Sequence, residues 1–352
     1  MKFAASLIIL LVFTFTAFGQ EKPLTQAEYV RMLYGLQKNP GSKSDIVDAL
    51  RRRGIDFTVT DGIRGLTRSK SSNDDGLKRA LEEAERRRQN PEAAKLPSHI
   101  EVAGLIEKTR QKTLAAVEEM PDFVVKQQIQ RSIGFAGTGS FRTQDRLVVG
   151  VSYRSSGEEN YRLLAINGAI QQNAQSKGSY EEAGGSSSTG EFVTMLAKIF
   201  KPESEADFTP LQTDVIRGRN AVIFEFSVER DKAKQLIVSK GAVATDSTIT
   251  GMKGRIWIDR EAFRVLKLES EATEIPEGFP ITAARRVIDY DWQTISDEKY
   301  LLPLLSDVRL TVREGGKLYE TRNVIRFTNY QKFGTDIVIG EEDVAPAKEE
   351  KP

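Results

Sequence analysis

GRIWIDREAFRVLKLE, residues 254–269, holds two short apolar runs, Ile256–Ile258 and Val265–Leu268, joined by a tight turn at Asp259-Arg260-Glu261-Ala262. Runs of this length with β-branched and aromatic residues, separated by so few residues, read as a hairpin and hence as antiparallel strands. The same pattern recurs outward in both directions. Residues 219–229 alternate, with Val222, Phe224, Phe226 and Val228 on one side and Ile223, Glu225 and Ser227 on the other. Val308, Leu310 and Val312 share one face of a strand, and Leu318–Phe327 forms its partner across Glu314-Gly315-Gly316, where glycine supplies the positive φ that a hairpin needs. Leu147–Tyr153 and Asn160–Ile166 bracket a turn at Ser155-Ser156-Gly157, and a further strand begins at Phe123. One apolar and one polar face predict a sheet that covers something on a single side.

Before residue 97 the period is helical. Thr25 and Glu28 have capping-box spacing ahead of Tyr29, Met32, Leu33 and Leu36. Ser44 is placed to cap a second helix ending at Gly54, Thr60-Asp61 opens a third, and Asn73-Asp74-Asp75 opens a fourth with Leu77, Ala80, Leu81 and Ala84 inward. The expected organisation is α+β: a helical module over 24–90, a linker over 91–97, a β domain over 98–340 with helices 98–119 and 190–200, and a frayed tail over 341–352. The 98–119 helix carries Ile100, Ala103, Ile106, Leu114 and Val117 as its expected inner face.

The first nineteen residues have the layout of a secretory signal peptide: Lys2, an apolar run from Leu7 to Phe15, and Ala17-Phe18-Gly19 before a cleavage site at Gly19–Gln20. The run is too short to span a bilayer, which takes about 20 apolar residues. A periplasmic or secreted protein is therefore expected. The 352 residues include no cysteine, which excludes disulfides, thiol chemistry and thiolate metal sites. Losing Lys2 with the leader leaves basic and acidic residues equal in number, which argues against nucleic acid as a partner. No second long apolar segment predicts a membrane span.

GSSSTGEF, residues 185–192, has the glycine spacing of a phosphate-binding loop, but Glu191 stands where that loop has its lysine and Phe192 where it has its magnesium-binding hydroxyl. No strand pattern precedes it. Ser188 and Glu191 instead have capping-box spacing ahead of an amphipathic helix with Phe192, Val193, Leu196, Ile199 and Phe200 on one face, fed by a flexible loop over 177–187. His99 is the only histidine, so a histidine triad or multi-histidine metal site is excluded, and its place at a helix start suits a solvent-facing side chain. Asp289 and Asp291 lie two apart on one strand face, the spacing of a carboxylate pair, but also of an ordinary polar face opposite Tyr290 and Trp292. The serines at 186–188 have no S-x-x-K lysine, and Arg51–Arg53 read as a solvated helix end. No catalytic residue, cofactor site or metal site is assigned.

From Pro97 onward the chain resembles a family of uncharacterised secreted bacterial proteins. The residues that carry this are LIEKTRQKTLAAVEEMPDFVV (105–125), STGEFVTMLAKIF (188–200), RGRNAVIFEFSV (217–228), GRIWIDREAFRVLKLE (254–269), YLLPLLSDV (300–308) and RNVIRFTNYQKFG (322–334). The order of elements is similar to that of the lipoprotein-carrier (Lol-type) and related envelope-stress sensor barrels. That resemblance implies an incomplete antiparallel barrel, strongly curved around one or two helices, with a hydrophobic concavity. The acyl-contacting residues of the carriers do not map onto this chain one by one. The resulting expectation is a non-catalytic envelope protein holding a lipid, lipoprotein or hydrophobic peptide. Phe192, Leu196, Phe200, Phe224, Phe226, Trp257 and Leu266 are the candidate lining, and the helical module is free to dock a protein partner. The alternative expectation is a structural or interaction module with a filled core; a carboxylate-based hydrolase ranks third.

Overall fold

The structure is a computed structural model that describes residues 21–171, 180, 183–240 and 245–334. The expected leader, the expected tail and residues 177–179 and 181–182 of the expected loop lie outside the described residues. Four helices come first: α1 (Gln26–Gly35), α2 (Lys43–Arg53), α3 (Asp61–Lys70) and α4 (Asp75–Gln89). They enclose one apolar core around Leu24, Tyr29, Leu33, Leu50, Leu77 and Leu81. The α1 cap forms as its spacing predicts, with Glu28 N donating to Thr25 Oγ1 at 3.2 Å and Thr25 N donating to Glu28 Oε2 at 3.1 Å. Thr25→Ala removes one of these acceptors and is expected to cost ~1 kcal/mol, read as a lower urea midpoint. The second cap differs from expectation. Ser42 rather than Ser44 is the N-cap, because the Pro40–Ser42 3₁₀ turn runs directly into α2 and the Ser44 hydroxyl donates back to Gly41 O.

After α5 (His99–Glu118) the chain is a sheet with one helical crossing. The strands are β1 (Phe123–Phe135), β2 (Arg142–Tyr153), β3 (Glu159–Ile166), β4 (Ala169–Ile170), β5 (Asp207–Ile216), β6 (Arg219–Val228), β7 (Gln235–Lys240), β8 (Thr245–Asp259), β9 (Val265–Thr273), β10 (Ile281–Ile295), β11 (Glu298–Glu314) and β12 (Lys317–Lys332). Every pairing is antiparallel, in the order β4-β3-β2-β1-β12-β11-β10-β9-β8-β6-β5, with β7 on β8. The sheet is open, its edges being β4 and β5. The fold is thus α+β, an incomplete barrel curved around helices. Consecutive strands explain most of the order. The exceptions are β6 to β7, which both lie on β8, and the step from β4 to β5, the two opposite edges. Of that last connection, α6 (Val193–Phe200) lies in the interior, with six of its eight side chains buried. A short α7 (Arg230–Ala233) links β6 to β7.

The inner face carries two apolar clusters. One gathers Phe123, Val125, Val149, Tyr153, Phe192, Ile325 and Phe327. The other gathers Leu105, Leu196, Phe200, Phe224, Phe226, Ile256, Leu268 and Tyr290. The α5 phase differs from the expected one. Leu105, Thr109 and Thr113 are its buried positions; of the expected residues Ile106 and Val117 do pack against the inner clusters, whereas Ile100 is 87% exposed and Ala103 is also outside. Counting apolar residues alone misses a face on which two of three positions are threonine.

The expectation of a sheet covered on one side is overturned. Ile216, Ala221, Ile223, Trp257 and Leu266 form a buried cluster on the outer face, and α4 lies over that side through charged contacts. Arg86 forks onto Asp214 at 2.8 Å for both bonds, and Trp257 Nε1 donates to Asp214 Oδ2 at 2.9 Å. Arg255 Nη1 and Nη2 donate to Glu83 at 2.9 and 3.0 Å, and Arg255 also pairs with Glu269 at 2.6 Å. At the other end of α4, Asp75 pairs with Arg309 of β11 and, at 3.7 Å, with Arg322 of β12. The β1–β2 turn meets the helices so closely that a Cβ on Gly139 would sit 1.8 Å from Ser72 O, and Gly139 has φ +63°. Only glycine fits there on both counts.

Burial alone would raise the Asp75 carboxyl, but Arg309, Lys78 and Arg322 outweigh it and hold it at about 2, against 3.8 for the free group. A carboxyl depressed in the folded state stabilises fully above its unfolded value and loses that contribution as pH falls toward the folded one. Acid titration of stability is therefore expected to fall between about pH 4 and pH 2. Asp75→Asn should flatten that part of the curve.

Candidate functional site

The helix expected over 190–200 begins at Val193, with Phe192 as N-cap and no side-chain cap bond. Ser188 and Glu191 do meet, hydroxyl on carboxylate, but they lie ahead of the helix in a polar knot. Ser188 N donates to the Tyr180 hydroxyl at 3.1 Å, and Gly190 N donates to Glu159 Oε2 at 3.1 Å and to the Tyr161 hydroxyl at 3.0 Å. Burial, then the Glu191 charge, raises the Glu159 carboxyl, against the hydrogen bonds of Tyr161 and Gly190. These amides are consumed within the chain rather than free to hold a phosphate. Arg131 Nη1 donates to Gly184 O at 2.5 Å and Asn323 Nδ2 donates to Ser186 O at 2.9 Å. The described part of the loop is thus tied to β1 and β12.

The structure divides the seven candidate lining residues among three places. Phe192 lies in the first inner cluster, edge-on to Phe123 at 5.4 Å and to Phe327 at 5.8 Å. Leu196, Phe200, Phe224 and Phe226 lie in the second, where Phe200 stacks on Phe208 at 5.3 Å. Trp257 and Leu266 are on the outer face beneath α4, not on the inner one. Strand alternation accounts for Trp257, which stands between inward Ile256 and Ile258. At Leu266 the β8–β9 register slips between Trp257 and Ile258, so that Val265 and Leu268 point inward and Leu266 outward. The phenylalanines interlock with neighbours on all sides and fill the space between α6 and the sheet.

The vacant space lies beside them. A cavity of about 440 Å³ opens between the last turns of α5, the side of α6, and β9–β11. Its inner wall is buried and largely apolar: Met120, Val193, Leu196 and Val265. Trp292, Tyr300 and Leu301 make a half-buried second wall, and Glu119, Arg264, Glu298 and Lys299 stand at the mouth. Leu196 is the only one of the seven candidates among the lining residues. Tyr300 donates to Glu298 Oε2 at 2.5 Å, and that bond, with burial, raises the phenol to about 12. Burial lowers the Arg264 guanidinium, whose Nη1 donates to Lys112 O. Periodicity missed Ala116 and Thr113 of α5 because they are small or polar. Trp292 had a signal, its place opposite the aspartates of DYDW. Tyr300 and Leu301 belong to YLLPLLSDV, whose proline obscured a strand.

The other chemistry is sparse. His99 is exposed at the start of α5. Asp291 pairs with Arg217 at 3.5 Å. Among the described residues no group of three or more histidine, aspartate or glutamate side chains is placed to hold a metal ion, and no described helix is long and apolar enough to cross a membrane. The site is therefore a pocket with an apolar wall and a charged mouth, an arrangement that takes a molecule with an apolar body and a polar end.

No family model and no curated protein matches the chain. Among solved structures, it is similar to a DUF1329 family protein from Desulfovibrio piger ATCC 29098, at 9% identity and a TM-score of 0.28, over 66% of this chain and 95% of that one. It is also similar to a Pseudomonas aeruginosa MucA/MucB complex at 10% identity and a TM-score of 0.18, over 63% of this chain and 94% of that one. A structure of MucB in complex with MucA(peri) is similar at 11% identity and a TM-score of 0.17, over 62% of this chain and 92% of that one.

Proposed function

We propose that this is an exported, non-catalytic binding protein that holds an amphipathic ligand, the acyl chain of a lipid or lipoprotein, in the cavity between α5, α6 and β9–β11. The observation that carries this reading is the cavity itself. Its volume of about 440 Å³ lies within the range of small-molecule sites, its depth is apolar, and its charged groups are confined to the mouth. The acyl chain would lie along Met120, Val193, Leu196 and Val265, with its polar end beside Arg264 and Lys299. The candidate lining moves accordingly, from the seven residues named from the sequence to the one of them that borders empty space.

Trp292 in the wall reports on occupancy. Adding dodecanoate is expected to shift the emission of the full-length mature protein to shorter wavelength, and Trp292→Phe should abolish the response. Ala116→Phe places a ring in the cavity and should remove binding. A dodecanoate response that survives Ala116→Phe, or no response at all, contradicts the assignment.

A second reading has its own observation. Phe192, Phe200, Phe224 and Phe226 are at most 1% exposed, so the space beneath α6 is packed solid. On that reading the sheet is a rigid support and the chain works through a protein partner docked on the helices. Failure of every acyl ligand to enter would favour it.

A further inference from the structure

A second, larger cleft of about 1100 Å³ lies on the other side of the sheet, between α2, α4 and the outer face of β5–β6–β8–β9–β10. Its walls bring together ten lysine and arginine side chains and four carboxylates, although the whole chain is nearly balanced in charge. Most of these cations have a carboxylate partner: Arg255 pairs with Glu83 and Glu269, Arg79 with Glu269, Arg88 with Glu85 and Lys253 with Glu271. Two do not. Arg51, in the last turn of α2, has no side-chain hydrogen bond or ion pair among the described residues, and its Nε is enclosed without an acceptor. Arg87 of α4 gives its Nη atoms only to neutral oxygens, Arg51 O and Leu50 O at 2.8 Å each and Gln212 Oε1, and its Nε is likewise enclosed and unpartnered.

Two partly buried guanidiniums side by side, with no carboxylate in hydrogen-bond reach, repel each other at a cost that the more distant Glu83, Glu269 and Asp214 offset only in part. Burial lowers Arg51, with Arg255 adding to it against the pull of Glu83, Glu269 and Asp48; burial lowers Arg87, with Arg255 and Arg51 adding to it against the pull of Glu83 and Asp214. The helix ends do not need this. Arg52 and Arg53 of the same run, which also border the cleft, pair with Glu21 and Glu28, whereas Arg51 has no such partner. The Nη edge of Arg51, which has no partner among the described residues, matches two oxygens of a phosphate in parallel bonds, and Arg87 beside it adds positive charge.

We propose that this cleft binds a phosphate-bearing small molecule, with Arg51 as the group that grips the phosphate and Arg87 as the positive charge beside it. The ligand supplies the negative charge that the cleft lacks and removes the mutual repulsion of the three guanidiniums. The site is distinct from the inner cavity, being on the opposite face of the sheet, and it stands whether or not that cavity takes a lipid.

The test is the thermal midpoint of the full-length mature protein at fixed ionic strength. One series is titrated with inorganic pyrophosphate and another with dihexanoyl phosphatidic acid below its micelle concentration. A midpoint that rises with pyrophosphate assigns the site to free phosphates. A rise with phosphatidic acid alone assigns it to a lipid headgroup, still within the proposal. Arg51→Gln should weaken the effective anion ~10-fold or more, the usual effect of losing a charge-assisted hydrogen bond. Because Arg51 opposes like charge in the empty cleft, the same variant should leave the ligand-free midpoint unchanged or higher, which a merely structural arginine would not do. Arg31→Gln, exposed on α1 and outside the cleft, should keep the full response. No rise with either anion, or an equal rise in Arg51→Gln, overturns the proposal.

Discussion

Replacing Arg255 with methionine is expected to lower the unfolding free energy by ~3–5 kcal/mol, the usual cost of removing one partner from a buried ionic group. The side chains of Arg255 and Glu83 are 7% and 1% exposed, and Glu269 is 14% exposed. Methionine occupies most of the same space, so packing is nearly preserved and the loss is electrostatic. Burial by itself raises the Glu269 carboxyl, and Arg255, with Lys267 and Arg79, more than reverses this, holding it well below the usual carboxylate range. Without Arg255, Glu83 is left buried with no hydrogen-bonded cation. Denaturant unfolding measures the loss. The double variant Arg255→Met/Glu83→Gln should recover part of it, since the stranded charge is then gone. Arg255 also joins α4 to β8, so the single variant should be cut sooner by protease in the 91–97 linker. A loss below ~1 kcal/mol would mean that α4 is held by its apolar contacts and not by these ions.

Phe192→Ala is the second large effect, again ~3–5 kcal/mol, the range for a buried phenylalanine. Phe192 is fully buried and touches rings from three strands, Phe123 of β1, Tyr153 of β2 and Phe327 of β12. It sits at the N-cap of α6, where the crossing chain enters the barrel. The rigid strands around it cannot collapse onto the space it leaves, which puts the cost at the upper part of the range. Phe192→Leu keeps much of the volume and should cost less than half as much. If the alanine variant loses only ~1 kcal/mol, the interior is not the packed core described above.

Much of this architecture is legible in the sequence, and the misses have physical causes. The alternation in RNAVIFEFSV and the glycine turn at Gly315-Gly316 place strands and hairpins where the structure has them. Local signals also locate α1 and its cap, since a capping box depends on residues three apart. Where long-range packing decides, local reading fails. Ile223 and Trp257 look like stray apolar residues on a polar face until α4, more than 130 residues earlier, is laid across them. The Ser188–Glu191 pair has capping spacing, but Ser188 N goes to the Tyr180 hydroxyl and Gly190 N to Glu159 and Tyr161, and the helix starts later, at Val193. The cavity was the least legible feature. An empty space is defined by residues that stop short of one another, such as Ala116 and Thr113, and no periodicity marks that.

The acyl-binding reading is tested most directly by native mass spectrometry of the full chain, produced from the whole sequence, residues 1–352, in a bacterial host and purified without detergent. The account predicts a fraction of molecules carrying an adduct of fatty-acid or phospholipid mass, absent from Ala116→Phe prepared in the same way. A bare mass for the original protein in repeated preparations, with no Trp292 response to dodecanoate, would contradict it.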